Sequence, residues 1–233
     1  MSEVTGLTDF ERFTFEHDGR SHDVYRAGNG PAVVVIHEMP GLHPGVVEFA
    51  RRLIDAGFTT YLPSLFGRPG EPFTNAALRR TGARVCVSRE FTMLLDRTSR
   101  VATWLRALTA EAFAECGGPG AGVVGMCFTG GFALATAVEP SVLATVISQP
   151  ALPAPIGHRG RAALGLDEAD RRRLQQRTQQ GLRLLGLRVT NDKRCPPNDS
   201  TRCEEISVLR SKASRSTPGL ATASVSRRTP TQC

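Results

Sequence analysis

The run Ala-Val-Val-Val-Ile at Ala32 to Ile36 is continuously apolar and bounded by GNGP before and EMPG after, as expected of a strand buried on both faces of a parallel sheet. Ahead of it, FTFEH and HDVYRA flank a DGRS turn signal and predict an N-terminal β-hairpin. Beyond it, Gly45 to Ala56 spaces Val47, Ala50, Leu53 and Ile54 at helical intervals. Gly57 stops that helix, and Phe58 to Leu62 is the next strand. A Pro- and Gly-rich surface stretch is expected from Pro63 to Gly82. Ser88 then reads as an N-cap, with Glu90 in the first turn of a long amphipathic helix through Phe91, Leu94, Leu95, Val101, Trp104, Leu105 and Leu108.

The same alternation continues downstream. GVVGM predicts a strand, FALATAV a helix and VLATVIS a strand; the QPALPAP loop leads to a charged helix at Asp167 to Gln179 and a last strand in LRLLGLRVT. Strands separated by helices at this spacing give an α/β fold, a mostly parallel sheet with helices on both faces. No internal repeat is present. Gly117 to Gly157 carries a single charged residue, Glu139, but its Gly and Pro residues cut it into pieces too short for a membrane span.

Charge divides the chain in two. Residues 193–233 hold 8 Lys or Arg against 3 Asp or Glu, which is +5 of the net +7, so the body is nearly neutral and presents no basic face for nucleic acid. The expected domains are therefore an α/β body over 1–192 and a basic Ser/Thr/Pro-rich tail over 193–233, which has no aromatic residue with which to build a core. The start MSEVTGLTDFERF has neither a basic stretch nor an apolar one, and the 6 cysteines lack paired CxxC spacing. A cytoplasmic protein with reduced thiols is the expectation.

The most informative chemistry lies in AGVVGMCFTGGFALA. A buried strand runs into Gly125, Met126 and Cys127, and Gly130 and Gly131 open a helix, so Cys127 falls at a sharp strand-to-helix turn that would expose a nucleophile. A thiolate is favoured there by the helix N-terminus; the plainer reading is a buried cysteine beside a packing glycine. Thr129 stands where such an elbow prefers Gly, which would loosen the turn. His37, Glu38 and Met39 fall just past the carboxyl end of a buried strand, the edge at which open α/β sheets bind ligands. Glu38 read alone is equally a solvated loop carboxylate.

Taken together, the apolar strand ending in Glu38, the segment AGFTTYLPSLFG and the elbow GMCFTGG resemble the dienelactone hydrolases, in the right order and over residues 10–196. That resemblance implies an α/β-hydrolase-like fold and a hydrolase that cleaves an ester or lactone through a Cys thioester. It makes Cys127 the nucleophile and Glu38 the carboxylate that hydrogen-bonds the thiol. The NH groups of Phe128 and Met39 become the oxyanion hole, and Asp192, otherwise a helix cap, becomes the acid that orients a histidine. Arg89 is a candidate for a substrate carboxylate, against the simpler reading of a solvated arginine. No cofactor or metal is implied; the expected partner is a small-molecule ester or lactone, with no nucleic acid and no membrane.

One member of the triad is absent. The sequence has no histidine after His158, whereas the family's triad histidine follows the acid, so the body is expected to be truncated at its C-terminal end. His37 and His43 flank Glu38 and are candidates to hydrogen-bond in the pocket. His17, His22 and His158 read as non-catalytic. A one-nucleotide frame shift accounts for the break: back-translated with GC-rich codons, RCPPNDSTRCEEISV in the neighbouring frame yields VPAERFDTLRGDLG, an amphipathic helix, and the Arg228–Thr229 junction yields histidine. Two further readings compete with an impaired hydrolase. One is a non-catalytic remnant that binds small acyl ligands without turnover, and the other is an interaction protein that acts through its basic tail.

Overall fold

The computed structural model describes residues 6–87, 99–149 and 166–187. In it the N-terminal hairpin pairs β1 (Glu11–His17) with β2 (Arg20–Ala27) through a two-residue turn in which Asp18 and Gly19 both have positive φ, at 52° and 66°. That is the turn whose twist matches a hairpin, and a Gly at its second position suits it. β3 (Ala32–Ile36) follows, then α1 (Pro44–Asp55), β4 (Thr59–Pro63), α2 (Asn75–Val87), α3 (Arg100–Cys116) and β5 (Ala121–Met126). A 3₁₀ turn (Cys127–Thr129) leads directly into α4 (Gly130–Thr136). β6 (Val142–Ser148), α5 (Glu168–Gln179) and β7 (Arg183–Leu187) complete the described chain.

Among the described residues these strands form one sheet in the order β1-β2-β4-β3-β5-β6-β7. β1, β2 and β4 pair antiparallel, while β4, β3, β5, β6 and β7 run parallel. β3 shows why its sequence is apolar throughout: Ala32, Val34 and Ile36 enter the core beneath α3 and α4, and Val33 and Val35 enter the core beneath α1. From β3 the chain moves first to β4 on one side and then to β5 on the other. The gap between the carboxyl ends of β3 and β5 is therefore the switch point at which open α/β sheets bind ligands.

Two expectations fail in the segment between β4 and α3. The Pro63 to Gly82 stretch is not surface loop throughout, because Asn75–Val87 is helical. Thr74 caps it, its hydroxyl accepting from Ala77 N at 3.1 Å, and Ala77, Thr81 and Val85 form a narrow buried stripe one turn apart. The helix through Trp104 and Leu108 also begins later than expected. Ser99 is extended and its side chain accepts from Ala102 N, so the cap is Ser99 and the helix runs from Arg100 to Cys116. Ser88, Glu90 and the residues up to 98 lie outside the described residues, as does the tail from 193. No helix among the described residues is long and apolar enough to cross a membrane.

Arg106 ties α3 to both α4 and α5. Its Nε donates to Ala135 O at 2.9 Å, near the end of α4, and its Nη2 donates to the buried Asp170 of α5 at 2.6 Å. Removing the guanidinium would take from a buried carboxylate the counter-charge that lies 2.6 Å away; Arg173, farther off at 3.6 Å, is exposed. Arg106→Ala should therefore lower the stability read from urea unfolding by about 3 kcal/mol. A loss below about 1 kcal/mol would show that the pair does not hold these helices together.

Candidate active site

β5 ends at Met126, and the chain turns at Cys127 with φ at 56°, a left-handed conformation that is costly for a residue with a side chain. A left-handed residue at a strand-to-helix turn has the geometry of an elbow, and here it places a half-buried cysteine at the sheet's carboxyl edge. Gly125 makes the turn possible. A Cβ at that position would lie 2.6 Å from Ala133 Cβ and 2.6 Å from Thr129 O, so only glycine lets α4 lie this close to the strand.

Thr129 does not loosen the elbow; it fastens it. Fully buried, its hydroxyl accepts from Met126 N at 3.0 Å and lies 2.6 Å from Met126 O and 3.1 Å from Ile36 O, either of which can take its proton. One side chain thus bridges both arms of the turn and the end of β3. Phe128 anchors the same turn from below, its ring packed against Phe66 and Phe132 at 5.4 Å and 6.0 Å.

The sheet register brings the other groups alongside. Ile36 pairs with Gly125 and Met126 with Ser148, so Glu38, Cys127 and Gln149 follow the ends of three adjacent strands at neighbouring levels. Met39 and Phe128 likewise each fall three residues past a paired strand position. The Glu38 carboxylate lies between two side chains: Oε1 is 3.4 Å from His43 Nε2, and Oε2 is 3.5 Å from the Gln149 side-chain nitrogen. The first is an ion-pair distance without hydrogen-bond geometry. Gln149, which sequence reading missed, is itself at positive φ (42°), and its backbone NH donates to Leu187 O at 2.8 Å.

Both histidines near Glu38 have one ring nitrogen committed to a backbone NH. A backbone NH only donates, so His37 Nε2, 3.1 Å from Leu65 N, must be unprotonated; the ring proton sits on Nδ1 and goes to Glu38 O at 3.0 Å. His37 is entirely buried with both nitrogens satisfied, and it stacks edge-on with Phe66. It belongs to the core and not to the pocket. His43 caps α1, its Nδ1 accepting from Gly45 N at 3.2 Å, so its proton is on Nε2 and faces Glu38. Neither ring offers a spare lone pair in this arrangement. Of the residues singled out from sequence, Cys127, Glu38, Phe128 and Met39 gather here, whereas Asp192 and Arg89 lie outside the described residues. Among the latter no group of side chains is arranged to hold a metal ion.

The sequence matches the model of the dienelactone hydrolase family over residues 21–163. Its backbone resembles a Klebsiella pneumoniae protein assigned as a dienelactone hydrolase, with a TM-score of 0.48 and 14% identity over 87% of this chain and 98% of that one. It also resembles a dienelactone hydrolase-like promiscuous phosphotriesterase from metagenomic libraries, with a TM-score of 0.44 and 16% identity over 88% and 98% of the two chains. A search of curated proteins gives no match.

Burial lowers the pKa of His37 from 6.5 to about 4, with a smaller contribution in the same direction from His43 and a partial offset from the bond to Glu38 O. Between those values the unfolded chain binds the proton and the folded one does not. The stabilisation is full above pH 6.5 and falls by roughly 3 kcal/mol as pH drops toward 4. Nitrogen-15 NMR of labelled histidine should find His37 neutral, with its proton on Nδ1, at pH 5.5. A ring that titrates near pH 6.5 would contradict the assignment.

Proposed function

This chain belongs to the dienelactone hydrolase family, and from that premise we propose that its body, residues 1–192, attacks small esters or lactones with Cys127. The observation that carries the reading is the left-handed turn at Cys127, set at the sheet's switch point beside Glu38. Glu38 accepts the thiol proton, and the thiolate adds to the ester carbonyl. The NH groups of Phe128 and Met39 donate to the oxyanion. Collapse of the tetrahedral intermediate breaks the carbon–oxygen bond, the leaving alkoxide takes the proton back from Glu38, and a thioester remains on Cys127.

Hydrolysis of that thioester needs a base to deprotonate water. In the family the histidine oriented by the triad acid has this role; here Asp192 has no histidine after it in the sequence. His37 cannot substitute, because Leu65 N holds its lone pair, and His43 is held in the same way by Gly45 N. Acylation without efficient deacylation follows. Residues 193–233 we read as the product of a shifted reading frame, and restoring the frame after Lys193 would return the missing histidine.

The test compares steady-state hydrolysis of p-nitrophenyl acetate and of a dienelactone by the chain as it stands and by the frame-restored chain, with Cys127→Ala as the blank in each. The restored chain should turn over, and the present one should fall by a factor on the order of 10² or more, since losing one triad member removes most of the acceleration and leaves only about 10³ to 10⁴ over water. Equal turnover by the two chains would overturn the reading.

A further inference from the structure

We propose that Gln149 and His43 are positioning residues that hold the Glu38 carboxylate against the elbow, a role that rests on Cys127 and Glu38 acting as described above. The two side chains reach the carboxylate from different elements. Gln149 follows β6 and approaches Oε2 at 3.5 Å; His43 opens α1 and approaches Oε1 at 3.4 Å. Each oxygen of Glu38 therefore has one side-chain nitrogen within 3.5 Å, Gln149 in a hydrogen bond and His43 at ion-pair distance, and the two limit the carboxyl group's rotation. The Gln149 hydrogen bond is long, as catalytic hydrogen bonds are before substrate tightens the site.

Three observations single out this arrangement. Gln149 occupies left-handed backbone although it is neither Gly nor Asn, and the bond from its NH to Leu187 O maintains that conformation where the side chain can reach Glu38. His43 Nε2 is buried, and the Gly45 NH on Nδ1 fixes its proton on the side that faces Glu38. Glu38 O accepts from both Gly41 N (2.9 Å) and His37 Nδ1 (3.0 Å), so the backbone beneath the carboxylate is held as well. The remaining freedom of Glu38 is in its side chain, and Gln149 and His43 restrict it.

A residue that acts through Glu38 should lose its effect once Glu38 can no longer take a proton. The experiment is a double-mutant cycle on the full chain, reading the rate at which p-nitrophenyl acetate acylates Cys127 by intact mass. Gln149→Met, which keeps the side chain's length and removes its N–H groups, should slow acylation three- to tenfold when Glu38 is present and leave it unchanged in a Glu38→Gln background. His43→Asn, which preserves the helix cap and removes Nε2, should behave in the same way. Gln149→Glu, also isosteric and without the donor, replaces Gln149→Met if the latter does not fold by circular dichroism. Equal slowing in both backgrounds would show a merely structural role and overturn the proposal while leaving Cys127 as the nucleophile. No adduct on Cys127 in the parent chain would overturn both.

Discussion

Gly125 lets α4 lie directly on the end of β5, and the candidate site depends on that contact. Because the helix begins so close to the strand, the chain must reverse within one residue, and Cys127 takes the left-handed conformation. A strained residue persists only when its surroundings over-determine it. Here Thr129 bridges the two arms of the turn and reaches the end of β3, while Phe128 is packed into the aromatic group beneath. The thiol is thus positioned by buried packing and not by a surface loop, which is the arrangement that holds reacting groups most closely.

The same economy of backbone contacts decides which groups are chemically available. Two histidines lie within a few residues of Glu38, and sequence alone offers either as a hydrogen-bonding group in the pocket. Leu65 N and Gly45 N narrow that choice by occupying one nitrogen of each ring. His37 becomes a buried connector between β3 and the segment after β4, and His43 becomes a helix cap that also presents an N–H to Glu38. Among the described residues, neither histidine keeps a ring lone pair for the site.

Much of this was legible in the sequence, for identifiable reasons. Buried parallel strands are continuous apolar runs, so β3, β5 and β6 could be read almost to the residue, and Cys127 and Glu38 stood out because each follows such a run. The misreadings have equally definite causes. The described side chains of Asn75–Val87 bury a narrow stripe that includes a threonine, and the helix contains Gly82, so its periodicity is weak. The helix expected to run unbroken from Ser88 through Leu108 is interrupted at Ser99, which is extended and accepts from Ala102 N, a cap that periodicity alone does not reveal. In sequence Thr129 reads as a departure from the elbow pattern, because its three close contacts exist only in the folded turn. Gln149 was missed because an amide after a strand carries no sign of chemistry until the register sets it level with Glu38. The role of His37 was hidden for a similar reason, since its tautomer is set by a residue 28 positions away.

The central claim is that this fold presents Cys127 as a nucleophile that acylates and then stalls. The most direct measurement is intact-protein mass spectrometry after brief exposure to an activated acetate ester, followed by peptide mapping at low pH, where thioesters survive. The account predicts a single persistent acetyl group located on Cys127 and absent from Cys127→Ala. Acetylation spread over lysines and other cysteines, with Cys127 unmodified, would contradict it.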